Sequence, residues 1–198
     1  EEGLEPMTFI DRLIARVRGV DSRLCVGLDP RPKRLPREIK DAAPADASSP
    51  MEGAASAVLA FNRAVIEAVA PYAAAVKPQL AFYEELGPVG MTVLSETIAE
   101  ARDKGLLVII DGKRNDIGST ASAYARAYLG GSRDLTGGEH DLYRADAITV
   151  NPYLGSDGLR PFLDQAAEWG KGVFVLVKTS NPSSSELQDL AILKEGEE

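Results

Sequence analysis

The sequence predicts an α/β fold, a parallel (β/α)8 TIM barrel of which about five βα units fall within the 198 residues. Three observations carry that expectation. Helix-period segments and short apolar runs alternate strictly along the chain, which implies a parallel sheet covered by helices. The run at residues 106–110 is apolar at every position, as in a strand buried on both faces. Asp29, Lys77, Asp111 with Lys113, Asn151 and Ser180 each stand at or just beyond the C-terminal end of such a run. In a barrel those ends converge on one mouth, where chemistry is built.

Taken in order, Thr8 and Asp11 match the capping-box pattern, and Phe9, Ile10, Leu13, Ile14 and Val17 follow at helical spacing. Residues 24–28 form a first strand, stopped at Asp29-Pro30. Pro30, Pro32, Pro36, Pro44 and Pro50 make 30–51 a loop. Val58, Phe61, Val65 and Val69 step by three and four, which predicts an amphipathic helix over 52–70. Residues 74–76 run into Lys77-Pro78 as a second strand. Val93, Leu94, Ile98 and Ala101 mark a helix ended at Gly105. After the third strand at 106–110 comes a helix over 116–129, closed by Gly130-Gly131, and a polar loop over 131–144. A fourth strand at 145–150 stops at Asn151-Pro152, a helix carries Leu159, Phe162, Leu163 and Ala166, and a fifth strand spans 172–177. Gly27-Leu28-Asp29-Pro30 follows the first strand in place of a glycine-rich dinucleotide fingerprint, so an open Rossmann sheet loses support. Five strands alone would leave a raw hydrogen-bonding edge. Residues 1–198 are therefore expected to belong to a single barrel domain whose remaining strands lie outside them, with Met7 a natural start and 1–6 an appendage.

Composition narrows the function. With 44% hydrophobic and 26% charged residues the chain can build one core. A net charge of −8 argues against nucleic-acid polymers and membrane surfaces as partners, since both ask for a positive footprint. No window has the apolar length of a membrane span. The single cysteine, Cys25, lies in an apolar run and is expected in the core; a chain without an internal disulfide suits a reducing, cytoplasmic setting. His140, the only histidine, stands in a polar glycine-rich segment far from Cys25, so neither a His/Cys metal cluster nor a Ser-His-Asp triad is expected.

The charged residues at the strand ends are the chemical signal. Asp111 and Lys113 are two apart and, on a continuing strand, point the same way into the mouth. Lys77 arrives from the neighbouring strand, and Asp116 follows near the start of the next helix. Two ammonium groups and two carboxylates in alternation suit a lysine that gives a proton to a carbanion. They oppose the desolvated neutral amine that Schiff-base chemistry at Lys77 requires. Ordinary salt bridges also gather at strand ends, but four such residues at one mouth favour a site.

The segment Asp111-Gly112-Lys113-Arg114-Asn115-Asp116-Ile117-Gly118-Ser119-Thr120 resembles the Asp-x-Lys-x-x-Asp-Ile pattern of the orotidine 5′-monophosphate decarboxylase family. Three further stretches are similar to the family's longer bacterial subgroup (type 2): Val76-Lys77-Pro78-Gln79-Leu80-Ala81-Phe82-Tyr83-Glu84, Val150-Asn151-Pro152-Tyr153-Leu154-Gly155 and Lys178-Thr179-Ser180-Asn181-Pro182. The resemblance runs from about Phe9 to Leu190.

The resemblance implies a cofactor-free, metal-free carboxy-lyase that converts orotidine 5′-monophosphate to UMP in pyrimidine biosynthesis. In it Lys113 would protonate C6 of the pyrimidine, Asp111 would stand beside the departing carboxylate and hold Lys113, and Lys77 would complete the array and contact the ribose. Asp116 would reach across a homodimer interface into the partner's site, with Ile117 and Thr120 lining that site. Asp29 would bond a ribose hydroxyl and Ser180 the amide edge of the pyrimidine. The phosphate grip, with an arginine, would come from loops after the seventh and eighth strands. Arg114 and Lys178 carry no role in it, and Phe82 and Tyr83 read as packing. Two rivals stand beside this reading. One is a magnesium-using sugar-phosphate decarboxylase or aldolase of the same barrel superfamily, which needs a further carboxylate near Asp111. The other is a non-catalytic nucleotide-binding barrel.

Overall fold

The computed structural model describes residues 7–44 and 47–191; the stretch 1–6, expected to be an appendage, lies outside the described residues. The leading helix α1 (Phe9–Val20) starts where its cap dictates. Asp11 N–H donates to Thr8 Oγ1 at 3.2 Å and Thr8 N–H donates back to Asp11 at 3.1 Å, satisfying two donors that a helix start leaves open. Strand β1 (Leu24–Leu28) matches the predicted bounds.

Among the described residues of 30–51, short helical elements stand where a loop is expected. Pro32 and Pro36 open a 3₁₀ turn (Pro32–Arg34) and helix α2 (Arg37–Asp41), because proline's fixed φ and missing N–H suit a helix start. The same rule moves the next helix, α3 (Pro50–Val69), two residues earlier than its apolar spacing indicates: Ser49 caps it and Pro50 occupies its first turn. Strand β2 (Ala73–Pro78), the short α4 (Ala81–Glu84) and α5 (Pro88–Asp103) follow. Strand β3 (Leu107–Arg114) runs four residues past its apolar core, carrying Asp111 and Lys113 within it.

Helix α6 (Gly118–Leu129) starts after Asp116, which lies in the connection from β3, with Ile117 extended at the N-cap. Within 131–144 a small antiparallel ribbon forms from β4 (Ser132–Arg133) and β5 (Glu139–His140). Its turn is organised by Asp134, whose carboxylate accepts from the N–H groups of Thr136 and Gly138 and lies 2.7 Å from His140 Nε2. Strand β6 (Ala147–Val150), helix α7 (Ser156–Trp169), strand β7 (Gly172–Val175) and the short α8 (Ser185–Gln188) complete the described chain. Strand β7 ends before Val177, which is exposed.

The five main strands pair in parallel in the order β1-β2-β3-β6-β7, the order of a barrel wall built one βα unit at a time. Strand residues alternate between two layers. Leu28, Val76, Val108, Ile110, Ile148 and Val150 face outward into the larger core beneath the helices. Ala75, Leu107, Ile109 and Ala147 face inward, where Phe9 of α1 closes the N-terminal end of the wall. There the fully buried Asp146 is paired with Arg12 and Arg102 and accepts from Val108 N–H at 2.9 Å, tying α1 and α5 to the sheet. The rest of the inner face is an apolar groove of about 640 Å³ lined by Ile14, Leu24, Cys25 and Phe174 among others. Cys25 is thus exposed, contrary to the core position expected for it. It belongs to an edge strand and lines this open groove together with Ile14 and Val17 of α1.

Candidate active site

Parallel pairing brings the C-terminal ends of β2, β3 and β6 side by side. Lys77 lies near the end of β2, and Gln79 just beyond it forms a bridge with Asp111. Asp111 is only 7% exposed, so its carboxylate needs partners. It has four. Oδ2 accepts from Lys77 Nζ at 2.7 Å and Gln79 Nε2 at 3.0 Å; Oδ1 accepts from Lys113 Nζ at 2.6 Å and Thr149 Oγ1 at 2.9 Å. Burial works to raise the Asp111 pKa. The hydrogen bonds from Lys113, Lys77 and Thr149 and the charge of Lys77 outweigh it, and the carboxyl is held below its usual value.

Lys113 does not reach Asp111 by plain strand alternation. Its φ is +46°, the left-handed region that a side chain rarely adopts. The β3–β6 register shifts between Ile110 and Arg114, and Lys113 N–H donates to Thr149 Oγ1 at 2.9 Å. The bulge re-aims the side chain, a common device beside active sites. Both lysines stay partly open to the mouth, with 35% of the Lys77 side chain and 45% of the Lys113 side chain exposed. A fixed carboxylate thus holds two ammonium groups at the rim of an otherwise apolar interior.

Lys77, Asp111 and Lys113 are therefore brought together, Lys113 through the bulge and not through the strand alternation expected for it. Within one chain Asp116 is not part of that array; its carboxylate accepts from Ile117 N–H at 2.8 Å. Ile117 and Thr120 are exposed beside it. Asp29 is exposed just past β1, and Ser180 is exposed five residues beyond β7; neither side chain bonds to the Asp111 array. Tyr83 is fully buried, as expected of a packing residue, and Phe82 is half-buried under the Arg31 guanidinium. Gln79 and Thr149 were missed. Their signal was there: Gln79 is two residues from Lys77, and Thr149 is the one hydroxyl in the apolar run of β6. Among the described residues no group of three or more His, Cys, Asp or Glu side chains is placed to hold a metal ion.

The chain is similar to known proteins over nearly all of its length. A curated orotidine 5′-phosphate decarboxylase of Rhodopirellula baltica is 47% identical over 186 residues, covering 94% of this chain and 59% of that protein. Another, of Deinococcus radiodurans, is 47% identical over 182 residues, covering 91% and 57%. A solved structure described as a putative orotidine 5′-phosphate decarboxylase from Streptomyces avermitilis superposes with a TM-score of 0.73 at 38% identity, covering 96% of this chain and 59% of that one. This chain thus spans about three fifths of the length of the relatives it matches. Residues 22–198 match the sequence family described as Orotidine 5'-phosphate decarboxylase / HUMPS family, and that match, nearly the whole chain long and centred on the strands that carry Lys77, Asp111 and Lys113, makes this chain a member of it.

Proposed function

We propose that the protein containing this chain decarboxylates orotidine 5′-monophosphate to UMP without a cofactor. The observation that carries the reading is the Asp111 carboxylate clamped between Lys77 and Lys113 at the strand ends, at 2.7 and 2.6 Å. In the proposed reaction the bond between C6 and the carboxylate breaks, its electron pair stays on C6, and carbon dioxide leaves. The resulting carbanion takes a proton from Lys113 Nζ. A preorganised field is the appropriate catalyst here, because its charges need no rearrangement as charge develops. The four bonds to Asp111 supply that rigidity. Asp111 stands beside the departing carboxylate and holds Lys113 within reach; Lys77 contacts the ribose.

In the same reading Asp29 bonds a ribose hydroxyl and Ser180 the pyrimidine amide edge. Asp116 serves the site of a second subunit, with Ile117 and Thr120 lining that site. The exposure of the segment from Ile117 to Thr120 on one subunit supports this assignment. No described helix is long and apolar enough to cross a membrane, and a cytoplasmic homodimer is the proposed state. The experiment is UMP formation from orotidine 5′-monophosphate in the presence of a chelator, with Lys113 intact and replaced by Ala. Chelator-resistant turnover separates this reaction from metal-dependent sugar-phosphate chemistry. Tight nucleotide binding without turnover in the unmutated protein would instead favour a binding barrel.

A further inference from the structure

Arg114, the residue next to Lys113, is built into the site in a way that the sequence does not suggest. Its backbone closes the β3 bulge: it pairs with Val150, and its carbonyl accepts from Asn151 N–H at 2.9 Å. Its guanidinium turns onto α6, with Cζ 5.5 Å from the Tyr124 ring centroid and 5.8 Å from that of Tyr128. It also forms an ion pair with Glu84 of α4. Only 21% of the Arg114 side chain is exposed. Stacking on aromatic faces while pairing with a carboxylate is what a planar guanidinium does and an ammonium does poorly.

The location of Glu84 gives this pair its meaning. Helix α4 follows β2 through Gln79 and Leu80, and Leu80 N–H donates to the Asp111 carbonyl at 3.2 Å. The ion pair therefore fastens the connection that carries Gln79, just beyond the Lys77 end of β2, to the strand end carrying Asp111 and Lys113. Between those anchors sits the left-handed backbone of Lys113. A non-glycine residue keeps such a conformation only when its surroundings over-determine it. On one side Thr149 accepts its N–H; on the other, the next residue is pinned by Glu84 and two tyrosine rings.

We propose that Arg114 is a positioning residue for the reaction: anchored by Glu84, Tyr124 and Tyr128, it holds the Lys113 backbone in the conformation that returns Nζ to Asp111. The inference rests on the reading of Lys113 as proton donor, but its geometric half is measurable without turnover. The probe is limiting acetic anhydride. Acylation of Lys113 and Lys77 is quantified by mass spectrometry, with exposed Lys33 as internal reference, in the unmutated protein and in Arg114→Ala, Arg114→Lys and Glu84→Gln. Released from its carboxylate, Lys113 is expected to acylate several-fold faster relative to Lys33 in Arg114→Ala, and less markedly so in Glu84→Gln, while Lys77 changes little. In steady-state kinetics kcat falls about 100-fold in Arg114→Ala, the order expected when a reacting group is misplaced by about an ångström, with KM nearly unchanged. Arg114→Lys recovers only part of either effect. Unchanged Lys113 acylation in folded Arg114→Ala overturns the proposal, and so does an equal rise at Lys33 and Lys113, which would mark general loosening. If Arg114→Ala does not fold, Glu84→Gln decides on the same criterion. An unmutated protein without turnover overturns the decarboxylase reading instead, and the acylation ratio still decides the positioning of Lys113.

Discussion

Asp111 concentrates the physics of the site in one carboxylate. Nearly buried, it is kept charged by Lys113, Lys77, Gln79 and Thr149, and each of these is oriented in return. Thr149 has two duties, donating to Asp111 and accepting the N–H of Lys113. Thr149→Val keeps the shape and removes both bonds, so stability should fall by about 1–3 kcal/mol, the usual cost of leaving buried polar groups unpaired; chemical denaturation measures it. The pH dependence follows from the lowered Asp111 pKa. A carboxyl held lower in the folded state than in the unfolded chain adds stability above its ordinary value near ~3.9, and loses it as pH falls through the lowered folded value. Removing the Thr149 bond should move the acid-side loss of stability to higher pH. The pairing of Asp111 with Lys113 was legible in the sequence, but its means was not: a plain strand repeat does not make it, and the positive φ that does is imposed by bonds from Thr149, 36 residues on.

At the level of elements, periodicity located every main strand and the long helices, and the differences gather where single residues overrule it. Ser49 and Pro50 set the start of α3, and β6 begins at Ala147, just after Asp146, whose carboxylate pairs with Arg12 and Arg102 and accepts from the β3 backbone. No local pattern announces a partner 134 residues away. Close packing between α4 and α5 was equally invisible. A Cβ on Gly90 would stand 1.9 Å from the Tyr83 carbonyl oxygen, an overlap that backbone must move to relieve. Gly90→Ala should therefore cost about 1–3 kcal/mol, as overpacking does, and lower the thermal midpoint. Because α4 carries Glu84, the same change should disturb the site at its β2 side. An unaltered midpoint would show that the two helices do not meet as closely as described.

Across the whole molecule, five parallel strands in sequence order with their polar ends at one rim reproduce the barrel wall that strict alternation implies. Cys25 marks where sequence reasoning fell short: an apolar run looks buried on both faces, yet the inner face of an edge strand depends on what lies across the barrel. The division of the stretch from Asp111 to Thr120 belongs to this scale as well. Asp111 and Lys113 are proposed to serve their own subunit and Asp116 that of a partner. Mixing Lys113→Ala with Asp116→Ala subunits should then restore part of the activity that each lacks alone; no recovery after confirmed subunit exchange would exclude shared sites. The central claim is that Lys113 delivers the proton that completes decarboxylation. Its most direct test is the rate of UMP formation from orotidine 5′-monophosphate by the unmutated protein and by Lys113→Ala. Loss of a general acid predicts a fall of at least about 100-fold in kcat, with a folded protein that still binds the nucleotide; undiminished turnover by Lys113→Ala would contradict the account.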